Sequence, residues 1–150
     1  VEYEPSPLIN RLRHLTEHVD TFVITCNIDG HFARAGFSEN RVLETEGSIR
    51  TSIDERRLAH PDALATARLE ELARLVQAHR NGRVAILELG VGVRNGVIKR
   101  MLAQIANACE HATYIVFNNS QALAPDASCE TILVDGDMTP AFEEIAQCRL

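Results

Sequence analysis

The sequence predicts an α/β fold in which a mainly parallel, Rossmann-like sheet is flanked by helices. Strand-like and helix-like segments alternate three times after residue 80, and the strand-like segments are continuously apolar. Continuous apolar strands are typical of parallel sheets whose two faces are both covered. A chain of 150 residues has the size of one ordinary domain, so we expect a single Rossmann-like domain over residues 1–150.

The first part of the chain predicts one helix and two short strands. Leucines at helical spacing after Ser6 predict an amphipathic helix over residues 7–18. The β-branched and aromatic run TFVIT, residues 21–25, predicts a strand that ends at the polar segment CNIDG. RVLET, residues 41–45, predicts another short strand, and the charged stretch 49–60 predicts a surface loop.

The second part of the chain begins with the most regular helical pattern. Leucines and alanines recur at helical intervals over residues 62–80, and Asn81-Gly82 closes the helix. The segments that follow alternate in type: a strand within 84–92, a helix at 96–108, strands at 113–119 and 130–137, and a last helix from about Pro140. In such a sheet, ligands bind at the carboxyl ends of the strands.

Charge and cysteine usage restrict the function classes. Fifteen Lys and Arg against 21 Asp and Glu give a formal net charge of −6, so we expect no nucleic acid partner. Membrane helices need about 18 consecutive apolar residues, which no stretch approaches, and the first ten residues lack signal-peptide features. With neither feature, we expect a cytoplasmic protein that does not bind membranes. The four cysteines form no CxxC pair and lie in or beside apolar segments, so we expect no metal site and buried, reduced thiols.

Three polar segments follow the predicted strands. In LELGVGVRNG, residues 87–96, closely spaced glycines between a strand and a helix suit a phosphate, although such turns also serve plain packing. Asn27 and Asp29 follow the first strand and suit catalysis, and they equally suit a turn in which they cap their own backbone. Asp135 to Asp137 form a third such segment, for which the turn interpretation is favoured, and Glu46 is an isolated acid for which solvation is favoured.

Together these segments carry a resemblance to a known family. The order TCNIDGHFARAGF, ETEGS, ILELGVG, YIVFNNS and LVDGD resembles the later part of the sirtuins, which are NAD-dependent protein deacylases (deacetylases) and ADP-ribosyltransferases with a Rossmann-like fold. The resemblance covers about residues 20–148. HFARAGF and LELGVG are most similar to the macrodomain-linked microbial class, which is associated with protein ADP-ribosylation.

The resemblance implies a role for each matched position, with NAD as the cofactor. Asn27 would contact the nicotinamide ribose or the attacking water, Asp29 the nicotinamide amide, and Asn118 the adenosine ribose. The implied catalytic residues are Asn27, Asp29 and Glu46, and the implied NAD-binding residues are Thr25, Gly90, Val91, Gly92, Asn118, Gly136 and Asp137.

The sequence also departs from the family pattern. Glu46 stands where deacylating sirtuins have a general-base His, and a carboxylate is a weak base, so the resemblance favours ADP-ribosyl transfer over deacylation. The family's zinc ribbon has no counterpart between Gly47 and Val84, and its first glycine-rich strand has none in VEYEPSPLINRLRHL. Because a missing central strand leaves a sheet edge unpaired, we expect a protein partner, a partner subunit or a homo-oligomer.

Two other function classes stay open at this point. A non-catalytic module derived from a sirtuin would bind NAD or ADP-ribose, or a partner protein, without releasing nicotinamide. A small methyltransferase-like domain built on ELGVG would bind S-adenosylmethionine, but its next strand ends in Asn118-Asn119 rather than in the acid that would hold the ribose. A fragment, one subunit of a split enzyme and a degenerate binder all fit the departures from the family.

Overall fold

The computed structural model of the protein describes residues 4–46 and 61–148. The chain divides into two compact units, with the boundary between Arg74 and Leu75. Each unit contains one small parallel sheet with helices, so the predicted α/β class is confirmed, and the architecture is consistent with a Rossmann-like fold in general. Gly47 and the loop predicted at 49–60 lie outside the described residues.

The first unit contains a two-stranded parallel sheet. Its elements are α1 (Pro7–Leu15), β1 (Val23–Thr25), α2 (His31–Arg34), a 3-10 turn (Glu39–Arg41) and β2 (Val42–Glu44), and α3 (Pro61–His79) runs across the boundary. Strands β1 and β2 pair so that Val23 lies opposite Val42, which confirms both predicted short strands. Helix α1 begins at the predicted cap, Ser6, but it ends at Leu15 rather than at residue 18.

Contacts at the end of α1 and a buried apolar core stabilise the first unit. The Thr16 hydroxyl donates to the Leu12 carbonyl at 2.9 Å, which satisfies an acceptor of the last helical turn. The Arg13 Nε donates to the Gly36 carbonyl at 3.0 Å, and its guanidinium carbon lies 5.7 Å from the centroid of the Phe37 ring. Apolar side chains from several elements form the buried core: Leu12, Val23, Phe37, Val42, Leu43 and Leu72.

The second unit contains a three-stranded parallel sheet. Its elements after α3 are β3 (Arg83–Leu89), α4 (Gly96–Ala108), β4 (His111–Asn118), β5 (Glu130–Asp135) and α5 (Met138–Gln147), and the strand order is β3-β4-β5. Helix α4 has the predicted bounds. Helix α5 begins at Met138, two residues before the predicted start, because the Asp137 carboxylate accepts from the Thr139 amide and caps the helix.

The core of the second unit lies mainly between α4 and the sheet. It is formed by Ile86, Ala106, Cys109, Ala112, Tyr114 and Val116. Phe117 and Phe142 join β4 to α5, with ring centroids 5.4 Å apart. Strand β5 departs from the expectation that both sheet faces are covered, because Ile132 is 44% and Leu133 is 47% exposed. Among the described residues, β5 has one strand neighbour, so it forms an edge of this sheet.

Candidate functional site

The carboxyl edge of the three-stranded sheet brings together two of the predicted polar segments, residues 87–96 and 135–137, and Asn118. Gly90 directly follows β3, Asn118 ends β4, and Gly136 directly follows β5. All three strands are parallel, and Leu89 lies opposite Phe117 while Asn118 lies opposite Asp135. The register therefore places the ends of the three strands side by side, where open α/β sheets bind their ligands.

Hydrogen bonds hold these strand ends in one arrangement. The Gly90 amide donates to the Phe117 carbonyl at 2.9 Å, and the Gly136 amide donates to the Asn118 carbonyl at 3.0 Å. The Asn118 side chain, with the residue 8% exposed, donates from Nδ2 to the Val91 carbonyl at 3.0 Å. Asn118 therefore connects the end of β4 to residues 90–96, the glycine segment that follows β3.

The glycines at this edge leave the backbone open. Gly90 has a φ of +63° and Gly136 a φ of +139°, conformations that a residue with a Cβ rarely adopts. A Cβ added at Gly92 or at Gly136 would meet no heavy atom within 4 Å. The main chain there can be approached closely by a ligand, and α4 begins four residues after Gly92 with its amide groups available for an anion.

The two carboxylates at the end of β5 hold the backbone in place. Asp137 accepts from the Thr139 amide at 2.9 Å, and this hydrogen bond lowers the pKa of its carboxyl group. Asp135 accepts from the Ser120 amide at 2.6 Å, and Ser120 has a φ of +66°. These contacts agree with the turn interpretation of this segment, and they fix the two loops that border Asn118.

The carboxyl edge of the two-stranded sheet contains the other predicted residues. Thr25 ends β1 and is 7% exposed, and its Oγ1 accepts from the Asn27 amide at 3.0 Å. The Asn27 side chain itself is exposed. Glu46 is also exposed and follows β2 by two residues, after Thr45, whose amide donates to the Thr25 carbonyl at 2.8 Å. The parallel pairing thus brings the segments of Asn27 and Glu46 to one edge.

Asp29 holds the turn before the short helix α2 with its own side chain. Its Oδ1 accepts from the His31 amide at 3.1 Å, and its Oδ2 lies 3.6 Å from His31 Nδ1. Gly30, between them, has a φ of +68°. The turn interpretation of this segment is therefore correct for Asp29. Because the Asp29 side chain is still 42% exposed, its carboxylate can also contact a ligand.

Sequence reasoning missed a buried polar cluster beneath the glycine segment. Glu88, in β3, is 1% exposed; its carboxylate accepts from the Tyr114 hydroxyl at 2.7 Å and pairs with the Lys99 ammonium. Burial and the contact with Glu88 raise the pKa of Tyr114, so its hydroxyl stays a donor. The one available signal was a single carboxylate inside the apolar run VAILELGV.

Other polar groups of the second unit carry no comparable arrangement. An open depression at the amino end of the sheet is lined by residues of both charges, among them Arg83, Glu110 and Glu130, and Thr113 already donates to Glu130 at 3.1 Å. Within residues 4–46 and 61–148, no three His, Cys, Asp or Glu side chains are grouped as metal ligands would be. In the same ranges, no helix combines the length and apolarity needed to cross a bilayer.

The thiols differ in exposure. Cys109 is buried, Cys26 and Cys129 are half-buried, and Cys148 is exposed, and none of the four is part of a disulfide. Burial raises the pKa of the Cys109 thiol, with an opposing effect of Arg80, so this thiol is protonated and unreactive at neutral pH. Of the four thiols that the sequence predicts to be buried, only Cys109 is fully buried.

Comparison with known proteins gives no further assignment. The chain matches no protein-family model and no curated protein sequence.

Proposed function

We propose that the protein is an NAD-dependent protein-modifying enzyme of the sirtuin type that transfers ADP-ribose to a protein acceptor in preference to deacylation. The observation that supports this best is the carboxyl edge of the three-stranded sheet, where Gly90, Asn118 and Gly136 lie side by side. Nucleotides bind at this edge in parallel α/β sheets because the strand ends and helix amino termini offer main-chain donors.

The residues at this edge suit the adenosine and phosphate parts of NAD. Space beside Gly92 and Gly136 admits a ligand to the main chain, and the amino terminus of α4 favours negative charge. The Asn118 amide is held by Val91 and so has a fixed orientation toward a ribose. We assign the adenine edge to Gly136 and Asp137 and the phosphate and ribose region to the Gly90–Gly92 segment on the resemblance.

The proposed chemistry takes place at the ribose carbon that carries nicotinamide. Bound NAD would supply the bond between this carbon and nicotinamide, and nicotinamide would leave with the bonding electron pair. A lone pair of the acceptor would form the new bond to the carbon, and the acceptor proton would pass to solvent. Asn27, whose side chain is exposed, would orient the acceptor or water, and Asp29 would hold the nicotinamide amide. Thr25 fixes the backbone of Asn27 for this task through its hydroxyl.

Glu46 is the reason for favouring transfer over deacylation. Its exposed carboxylate can stabilise the positive charge that develops on the ribose as nicotinamide departs. Deacylation in the family uses a histidine as the general base at this position, and a carboxylate accepts a proton less readily. The proposal includes a cytoplasmic protein whose partners are a protein acceptor or a partner subunit, and self-association through an unpaired sheet edge.

A second candidate is a non-catalytic module that binds NAD or ADP-ribose. The observation in its favour is that Asp29 and Thr25 already use their side-chain oxygens on the amides of His31 and Asn27. A methyltransferase-like domain is a weaker candidate, because Asn118 stands where an acid would hold the ribose of S-adenosylmethionine.

The experiment is calorimetric titration of the full chain with NAD, ADP-ribose and S-adenosylmethionine, followed by an assay for free nicotinamide. We expect heat with NAD and ADP-ribose and release of nicotinamide from NAD. Binding without nicotinamide release would favour the non-catalytic module, and heat with S-adenosylmethionine alone would favour the methyltransferase-like domain. No heat with NAD or ADP-ribose would refute the proposal, and light scattering that gives a monomer would refute self-association.

A further inference from the structure

Three side chains from three elements meet beneath the glycine segment that follows β3. Glu88 is the penultimate residue of β3, Lys99 is the fourth residue of α4, and Tyr114 lies in β4. Glu88 is 1% and Tyr114 0% exposed, whereas the Lys99 side chain is 25% exposed. The two oxygens of the Glu88 carboxylate divide between the partners, with Oε2 accepting from Tyr114 and Oε1 pairing with Lys99.

The cluster connects the two ends of the glycine segment. Glu88 precedes Gly90 by two residues, and Lys99 follows Gly96 by three residues. The ion pair therefore closes residues 90–96 between a strand and the first turn of a helix. Tyr114 holds the carboxylate from the neighbouring strand, so the pair is fixed to the sheet and not to β3 alone.

Stability alone does not account for a buried ion pair at this place. Removing two charges from water is costly, and apolar side chains of similar size stabilise a core equally well or better. An ion pair with a third hydrogen-bonded group fixes the relative orientation of the elements that carry it, because the carboxylate accepts hydrogen bonds in defined directions. The Glu88–Lys99 pair therefore fixes the orientation of the first turn of α4 relative to the Gly90 end of β3.

We propose that Glu88 is a positioning residue for nucleotide binding: its carboxylate, held by Tyr114, anchors Lys99 and so orients the first turn of α4, with its main-chain amides, toward the ligand. Glu88 itself is too deeply buried to touch a ligand. The inference rests on the proposed nucleotide site and extends it to side chains below the binding surface.

The test compares Glu88→Gln with the double variant Glu88→Gln/Lys99→Met, using ADP-ribose as the probe. Glutamine keeps the volume and an oxygen for Tyr114, and the double variant removes both charges, so it keeps the net charge and leaves no buried charge unpaired. If only about one tenth of the variant molecules hold the helix turn in the orientation that binds ADP-ribose, the Kd for ADP-ribose rises about tenfold. We expect this rise in both variants, and we expect the double variant to unfold at the wild-type urea midpoint.

A matched control is Glu110→Gln, which removes one exposed carboxylate at the amino end of β4 and should leave the Kd unchanged. Amide hydrogen exchange over residues 90–99 without ligand gives a second measurement, and we expect faster exchange in the double variant. Wild-type affinity and wild-type exchange in the double variant would overturn the inference. If the wild-type chain binds no ADP-ribose, the proposed function fails, and unchanged exchange would separately reject the positioning role.

Discussion

The two parallel sheets end in polar residues of similar kinds, but they use them differently. At the edge of the three-stranded sheet, main-chain bonds from Gly90 and Gly136 join the strands. Asn118 adds a side-chain bond between strand ends, and the carboxylates at the end of β5 hold the neighbouring loops. At the edge of the two-stranded sheet, the side chains of Thr25 and Asp29 accept from backbone amides of their own segment.

This difference separates the two halves of the proposed function. Because the backbone builds the first edge, its open space at Gly92 can take a ligand without disturbing the fold. At the second edge, side chains that would take part in chemistry also hold a turn, so chemistry and local structure are coupled there. Binding and turnover should therefore respond to different substitutions.

Asn27→Ala should give the largest effect at either sheet edge, a loss of nicotinamide release. The Asn27 side chain is exposed, so its loss should change the free energy of unfolding by less than about 0.5 kcal/mol. Loss of one polar group that acts in a transition state lowers turnover by about 100-fold, and we expect nicotinamide release to fall by at least that factor. Asn40→Ala, another exposed asparagine of this unit, serves as the control. Unchanged nicotinamide release in Asn27→Ala would rule out the catalytic assignment.

Asn118→Ala tests the side-chain bond that connects the end of β4 to the segment after β3. Loss of the bond to the Val91 carbonyl should lower the free energy of unfolding by about 1 to 3 kcal/mol and weaken binding of ADP-ribose. Urea unfolding and calorimetric titration measure the two effects. Asn119→Ala removes the exposed neighbour and should change stability by less than about 0.5 kcal/mol. Equal effects of the two substitutions would contradict this role of Asn118.

Two glycine substitutions separate the effect of backbone strain on stability from the effect of open space on ligand binding. Gly90→Ala forces a side chain into the left-handed region, at φ +63°, and should cost about 1 to 2 kcal/mol of stability. Gly92→Ala meets no neighbouring atom, so it should change stability by less than about 0.5 kcal/mol and yet weaken binding of ADP-ribose. The reverse pattern, with Gly92 the destabilising position, would show that the loop has another conformation.

The smallest expected effect concerns the acid dependence of α5. The capping bond lowers the pKa of Asp137 below its ordinary value of 3.8, so the carboxylate stabilises the folded state above that pH, and the contribution is lost as the pH falls through the folded pKa. Asn is an equally good cap without this titration, so Asp137→Asn should lose less stability between neutral pH and pH about 3. Urea unfolding across this pH range measures it, with the exposed Asp126→Asn as control. Parallel curves for Asp137→Asn and the wild type would exclude the effect.

Local patterns predicted much of the fold. The bounds of α4 agree with the amphipathic segment GVIKRMLAQIANA, because helical spacing is a pattern that acts over a few residues. The parallel strands follow from their apolar runs, and the polar strand ends were recognisable because such residues stop strands. The strand predicted at 21–25 shortens to Val23–Thr25, since the ladder pairs only these residues with β2.

The side-chain contacts between distant elements could not be predicted. Glu88 meets Lys99 and Tyr114 across 11 and 26 residues of sequence, and the contact depends on how α4 is rotated against the sheet. Arg13 donates to the Gly36 carbonyl across 23 residues, and the acceptor there is a backbone atom that no sequence pattern marks. Such contacts need the packed fold before they can be identified.

The main-chain bonds that join the strand ends of the larger sheet also determine how this surface responds to mutation. A codon change replaces a side chain, but it leaves the amide of Gly90 and the carbonyl of Phe117 in place. The exposed amide of Asn27, in contrast, is removed by a single exchange without unfolding the chain. Under random mutation, therefore, the proposed turnover would be lost more easily than the main-chain surface at the strand ends, and a lineage that no longer released nicotinamide would retain that surface.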